Sequence, residues 1–168
     1  MKRGFFVFGF IFTAALGMIL HFLYDWVGKS PVVAFVSAVN ESTWEHLKLL
    51  YVPMVLFGIY EYFRYGRDTA CFFSAKFKGI LSGVLFIVLF FYGYRGILGY
   101  NLDFLNILDF YFGSAVAWTV EYKALKSKRS CSPISHGIAL FGIVILGVLF
   151  AVFSFYPPSL GIFIPPEV

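Results

Sequence analysis

Five stretches of this chain are each apolar over a length that a lipid bilayer can bury, and short polar or basic connections separate them. They run at about 4–26, 42–64, 79–94, 102–122 and 136–156. A hydrocarbon core about 30 Å thick takes roughly 20 helical residues at about 1.5 Å each, and an open strand in lipid would strand its backbone polar groups. The spacing predicts an all-α integral membrane bundle of five transmembrane helices. Composition agrees, since 60% of the residues are hydrophobic and only 13% charged, where soluble chains carry about a quarter charged. No Gly/Ser linker, charge block or internal repeat divides the sequence, so residues 1–168 read as a single transmembrane domain.

The opening Lys2-Arg3 and the apolar run behind it imitate a secretory signal, but the run is too long for one and reads as a retained first span. The segment Val32 to Val39 is apolar yet too short to cross, and is expected in the interface or folded against the end of the bundle. Pro53 near the middle of the second span removes a helical N–H and should kink the helix unless a neighbour compensates. The third span is short for a crossing.

Orientation follows from Lys and Arg in alternate loops. Lys2, Arg3, Arg64, Arg67, Lys76, Lys78, Lys123, Lys126, Lys128 and Arg129 fall on one side, against Lys29, Lys48 and Arg95 on the other. Basic residues are retained on the cytoplasmic side, which predicts a cytoplasmic N-terminus, an extracytoplasmic C-terminus and a multi-pass protein of the cell membrane. The same distribution accounts for the net charge of +4 without nucleic acid as a partner. Cys71 and Cys131 both lie in loops on the basic side, so two reduced thiols are expected there, with neither a disulfide nor a thiolate metal site.

Most ionisable chemistry of the N-terminal third sits in Asn40-Glu-Ser-Thr-Trp-Glu-His-Leu-Lys48. Ser42 followed three residues later by Glu45 is a capping box: the hydroxyl accepts from the Glu45 N–H, and the carboxylate returns to the Ser42 N–H. Asn40 is an alternative cap, and Glu41 and Glu45 put negative charge at the positive end of the helix dipole. In the first span Gly9, Thr13, Gly17, His21 and Asp25 recur every four residues, a row of small residues rising to an imidazole and a carboxylate. In the fourth, Asn106, Asp109, Gly113, Ala117 and Glu121 form a similar stripe facing protein, with Arg95, Lys48 or His21 as candidate partners of Asp109. Lys123 and Arg64 are the expected partners of Glu121 and Glu61.

Candidate ligand-binding residues are therefore His21, Asp25, Asn40, Glu41, Glu45, His46, Lys48 and Asp109. The mixed imidazole and carboxylate cluster His21, Asp25, Glu41, Glu45 and His46 suits zinc or another divalent metal ion, with His21, Asp25, Glu45 and His46 as the expected ligands, while a salt-bridged, capped helix end explains the same residues without one. The run His21-Phe-Leu-Tyr-Asp-Trp, then Asn40 to Lys48, Pro53, Ser135-His-Gly-Ile-Ala and Tyr156-Pro-Pro resembles a family of small bacterial and archaeal integral membrane proteins of no assigned function. The resemblance implies a multispanning membrane protein and transfers no activity. Three functions fit: an outward-facing polar pocket for a small ligand, ion or lipid headgroup; a membrane-embedded metal-dependent enzyme using the same residues; or an accessory subunit that meets a protein partner through its small-residue rows.

Overall fold

The computed structural model describes residues 3–127 and 131–166. Lys2, Lys128 and Arg129 of the charge count lie outside the described residues. Within them the chain is all helical: α1 (Arg3–Trp26), α2 (Pro31–Ala34), α3 (Thr43–Arg64), α4 (Phe72–Leu98), α5 (Asp103–Lys126) and α6 (Pro133–Phe155), with 3₁₀ turns at Gly66–Asp68 and Gly161–Phe163. The five long helices alternate in direction. At one end, the crown, α1, α4 and α6 finish and α3 and α5 begin; at the other, the basic end, the order reverses.

Three of the five, α1 from Gly4, α4 and α6, are long and apolar enough to cross a membrane. The sequence predicts five such runs. The other two helices fall short in apolarity because Glu45, Lys48 and Glu61 interrupt α3 and Asp109 and Glu121 interrupt α5, yet all five of these side chains are buried. Large apolar residues cover the outward faces, among them Phe8 and Ile11 on α1, Leu85 and Leu89 on α4, and Phe141 and Val148 on α6, which is compatible with a membrane protein.

The expected short third span is in fact the longest helix. α4 starts at Phe72 because Cys71 turns the chain in the left-handed region (φ 68°) and Lys76, counted above as a loop residue, is buried and neutralised inside the bundle. Gly99, at φ 80°, ends it. α6 likewise starts at Pro133, three residues early, with Ser132 as N-cap accepting from the Ser135 N–H. Contrary to the expectation of reduced thiols, Cys71 and Cys131 form a disulfide that joins the heads of α4 and α6 at the basic end. A separation of 60 residues carries no signal of that proximity.

Small residues let the helices approach. Gly79 and Gly83, a Gly-x-x-x-Gly step on α4, face Gly113, Ala117 and Glu121 of α5: a Cβ at Gly83 would come within 2.7 Å of Ala117 Cβ and 2.9 Å of the Gly113 carbonyl. On α1 the row of small residues faces protein, as its spacing predicts. Gly9 lies under the ring of Trp118, and Thr13 Oγ1 accepts from Trp118 Nε1 at 3.0 Å. α3 continues through Pro53, whose missing N–H leaves the Leu49 carbonyl without its helical partner. Gly17 packs against that carbonyl, where a Cβ would stand 2.8 Å away.

Substituting Gly83→Leu should separate α4 from α5 and cost about 1–3 kcal/mol or more, because the Ala117 Cβ and the Gly113 carbonyl, neither of which can swing aside, block the new atoms. Gly93→Leu, which meets nothing within 4 Å, should leave thermal unfolding in detergent unchanged. Equal melting temperatures for the two variants would refute this account of the interface.

Candidate functional site

The crown is organised by the first turn of α3. Ser42 caps the helix by accepting from the Glu45 N–H at 3.4 Å, as the sequence predicts, but the return half of the capping box is not made. Asn40 Oδ1 takes the Ser42 N–H at 2.9 Å, and the Glu45 carboxylate accepts from the Val39 N–H at 2.9 Å. The reason lies one turn further on. Lys48 Nζ is 2.6 Å from Glu45 Oε2 and donates to Ser154 Oγ at 2.7 Å and the Ala34 carbonyl at 2.9 Å. Ser154 in turn donates to Glu45 Oε1 at 2.7 Å.

Both members of this pair are buried, Lys48 at 0% and Glu45 at 2% exposure. A desolvated ion pair holds only when each charge keeps its partners, so Glu45 and Lys48 clamp α3 to α2 and α6. The three Nζ–H donors of Lys48 are taken, and both Glu45 oxygens are engaged. The Val32–Val39 segment accordingly folds onto the crown, where Ser37 bonds the Leu20 carbonyl and accepts from the Tyr24 N–H.

With Glu45 engaged, Glu41 becomes the acid beside the histidines. His21, on α1, and His46, on α3, have ring centroids 5.1 Å apart, and one donor atom each from His21, Glu41 and His46 falls within 4.8 Å of the others. His46 Nδ1 lies 2.9 Å from the Ser42 carbonyl and its Nε2 3.4 Å from Glu41 Oε2. Hydrogen bonding to His46 holds the Glu41 carboxyl below its ordinary range. His21 Nδ1 is buried with no hydrogen bond among the described residues. Asp25 stays exposed and contributes no ligand atom to the group. Of the acids that the sequence places near the histidines, Glu41 is the one whose carboxylate converges with them, while Asp25 and Glu45 do not join that group.

Two cavities adjoin this group. One of about 450 Å³ opens between α1, α3 and α5 and is lined by His21, Glu41, His46, Asp103 and Asn106. The other, about 120 Å³, lies across His46 toward α4; Asp109 and Asn106 line it, and Pro166 of the C-terminal segment closes one side. That segment is anchored where Phe163 packs on Trp44 and Phe153. Asp109 is 2% exposed and its Oδ1 has no hydrogen-bond partner among the described residues. None of Arg95, Lys48 and His21 forms an ion pair with it.

Sequence reasoning missed a second clamp at the basic end. Lys76 Nζ sits 2.5 Å from Glu61 and 2.7 Å from Glu121, over the ring of Trp118, with the Tyr65 hydroxyl also on Glu61. Lys76, not Arg64 or Lys123, is therefore the partner of both acids.

The model of a family of unknown function, DUF6512, matches residues 2–166. No curated protein and no solved structure matches the chain.

Lys48→Met should strand the Glu45 carboxylate and destabilise the protein by about 3–5 kcal/mol, whereas Glu45→Gln combined with Lys48→Met should recover part of that loss. Denaturation in detergent measures both. A double variant no more stable than the single one would mean that the pair is not a mutually dependent unit.

Proposed function

The chain belongs to DUF6512, a family of unknown function, and from its geometry we propose a five-span membrane protein whose crown faces away from the cytoplasm and binds a divalent transition-metal ion between His21, Glu41 and His46. One observation carries the metal reading. A carbonyl only accepts, so the contact with Ser42 puts a proton on His46 Nδ1 and leaves the Nε2 lone pair, in the neutral ring, facing a carboxylate oxygen at 3.4 Å. Two electron-pair donors opposed in this way are reconciled either by a proton on Nε2, which makes the ring an imidazolium paired with Glu41, or by a metal ion between them. The separation is long for a charge-assisted hydrogen bond, about 2.7–2.9 Å, and close to the spacing of about 3.4 Å between two ligands of one tetrahedral ion. The backbone bond on the far ring nitrogen is also how metal-binding histidines are oriented.

His21 supplies a third donor, and the larger cavity leaves a position open for water or a small ligand. Three protein ligands with an open position also favour a second reading, a metal-dependent enzyme. Metal-dependent turnover of a hydrolysable substrate, lost in His46→Ala, would support that reading over simple ion binding.

Supporting the five-span reading, α3 and α5 turn apolar side chains outward, such as Leu56, Ile59 and Phe63, and Phe104, Ile107 and Phe112, while their charges point inward. Lys48 and Lys76 are buried in ion pairs and drop out of the charge count, leaving nine basic residues against two. This favours a basic end in the cytoplasm. The Cys71–Cys131 bond is on the same side and argues the other way, because disulfides persist in oxidising compartments, so labelling decides the orientation.

In a Cys71→Ser, Cys131→Ser background, Ser30→Cys and Ser159→Cys should react with an impermeant thiol reagent in intact cells and Arg67→Cys should not; the opposite pattern inverts the topology. For the metal, purified protein titrated with Co²⁺ should take up one equivalent with tetrahedral visible absorption. His21→Ala and His46→Ala should each weaken uptake by at least about 100-fold, with Asp25→Asn unchanged. Undiminished uptake in His46→Ala would end this reading.

A further inference from the structure

Six charged side chains are buried among the described residues, and five of them have a counter-charge: Glu45 with Lys48, and Lys76 with Glu61 and Glu121. The sixth is Asp109. It lines the cavity of about 120 Å³ with one oxygen unpartnered, and no lysine or arginine is among the residues around that space. Glu41 and Asp103, which also line it, add negative charge and outnumber His46, the one basic side chain on its walls, so the cavity favours a cation.

The surroundings narrow the cation further. Asp109 belongs to no group of three metal-ligating donors among the described residues, and the walls beside it are Ile87, Phe91 and Phe110. Aromatic faces beside a carboxylate that converges with no two other ligating side chains suit an organic ammonium better than a bare ion that demands several oxygens around it. The unpartnered oxygen calls for an N–H donor, which a quaternary ammonium lacks. Liquid water occupies about 30 Å³ per molecule, so the cavity holds roughly four to six heavy atoms.

We propose that the Asp109 cavity is a binding site for the ammonium group of a small primary amine, present either as a free molecule or as the amine of a lipid headgroup. Asp109 accepts from the ammonium while Phe91 and Phe110 shield its alkyl carbons. Glu41 and His46 line this cavity as well, but Asp109 gives no atom to the His21, Glu41, His46 group, so the proposal is tested separately from the metal reading, on chelator-treated protein.

The full chain in detergent is titrated calorimetrically at pH 7 with propylamine and with tetramethylammonium. Propylamine should bind at one equivalent and tetramethylammonium should not. Asp109→Asn should weaken propylamine at least tenfold while Co²⁺ uptake stays intact, and Phe91→Leu, which keeps the carboxylate, should weaken it about two- to fivefold. Absence of saturable propylamine binding, equal binding of tetramethylammonium, or an unchanged affinity in folded Asp109→Asn would overturn the proposal. Should Asp109→Asn fail to fold, an unchanged affinity in Phe91→Leu overturns it. Nanodiscs separate the sources: displacement of propylamine by phosphatidylethanolamine but not phosphatidylcholine identifies a lipid headgroup, and retention in both identifies a free amine.

Discussion

A charge removed from water costs several kcal/mol unless the protein supplies partners in good geometry, and this bundle removes six. Its packing follows from satisfying them. At the crown, Lys48 draws together Glu45 of its own helix, the Ala34 carbonyl at the end of α2 and Ser154 of α6. At the basic end, Lys76 of α4 lies between Glu61 of α3 and Glu121 of α5. Both clamps pass through α3, which is thereby fixed at its two ends. Rotating α3 to improve one contact would break the other, so its register is held more tightly than its apolar surface alone could hold it.

That fixed register is what aims His46. Glu41 and Glu45 are four residues apart and chemically the same, but Lys48 lies within reach of only one of them. Glu45 is drawn inward and becomes structural. Glu41 stays at the mouth of a cavity and faces the imidazole. The division between a clamp and a candidate ligand therefore rests on where one ammonium group sits.

Much of the helical layout was legible in the sequence, because apolar length, caps and small-residue spacing are local properties. The start of α3 at Ser42 and the face of α1 carrying Gly9, Thr13 and Gly17 needed nothing beyond residue order. The start of α4 was not legible, since Lys76 resembles a loop lysine until Glu121, 45 positions later, is known to approach it. A signal for the α4–α5 contact was present and passed over: Gly79 and Gly83 stand one helical turn apart. At the site, the sequence brought His21 and His46 to the same depth and left Asp25, Glu41 and Glu45 together as acids beside them, because what draws Glu45 away, the reach of Lys48 toward Ser154, spans more than a hundred residues.

The clamp around Lys76 bears on how such a chain would enter a bilayer during synthesis. Glu61 and Lys76 emerge on adjacent helices, so the α3–α4 hairpin can present a neutral pair to lipid as soon as it forms. Glu121 arrives later, on α5, one of the two long helices not apolar enough to qualify as a span by composition. Its partner is already inside the membrane by then. Partitioning of α5 would depend on a docking surface left by the earlier hairpin, so its insertion and its folding would be the same event, with the glycines of α4 serving as the landing strip.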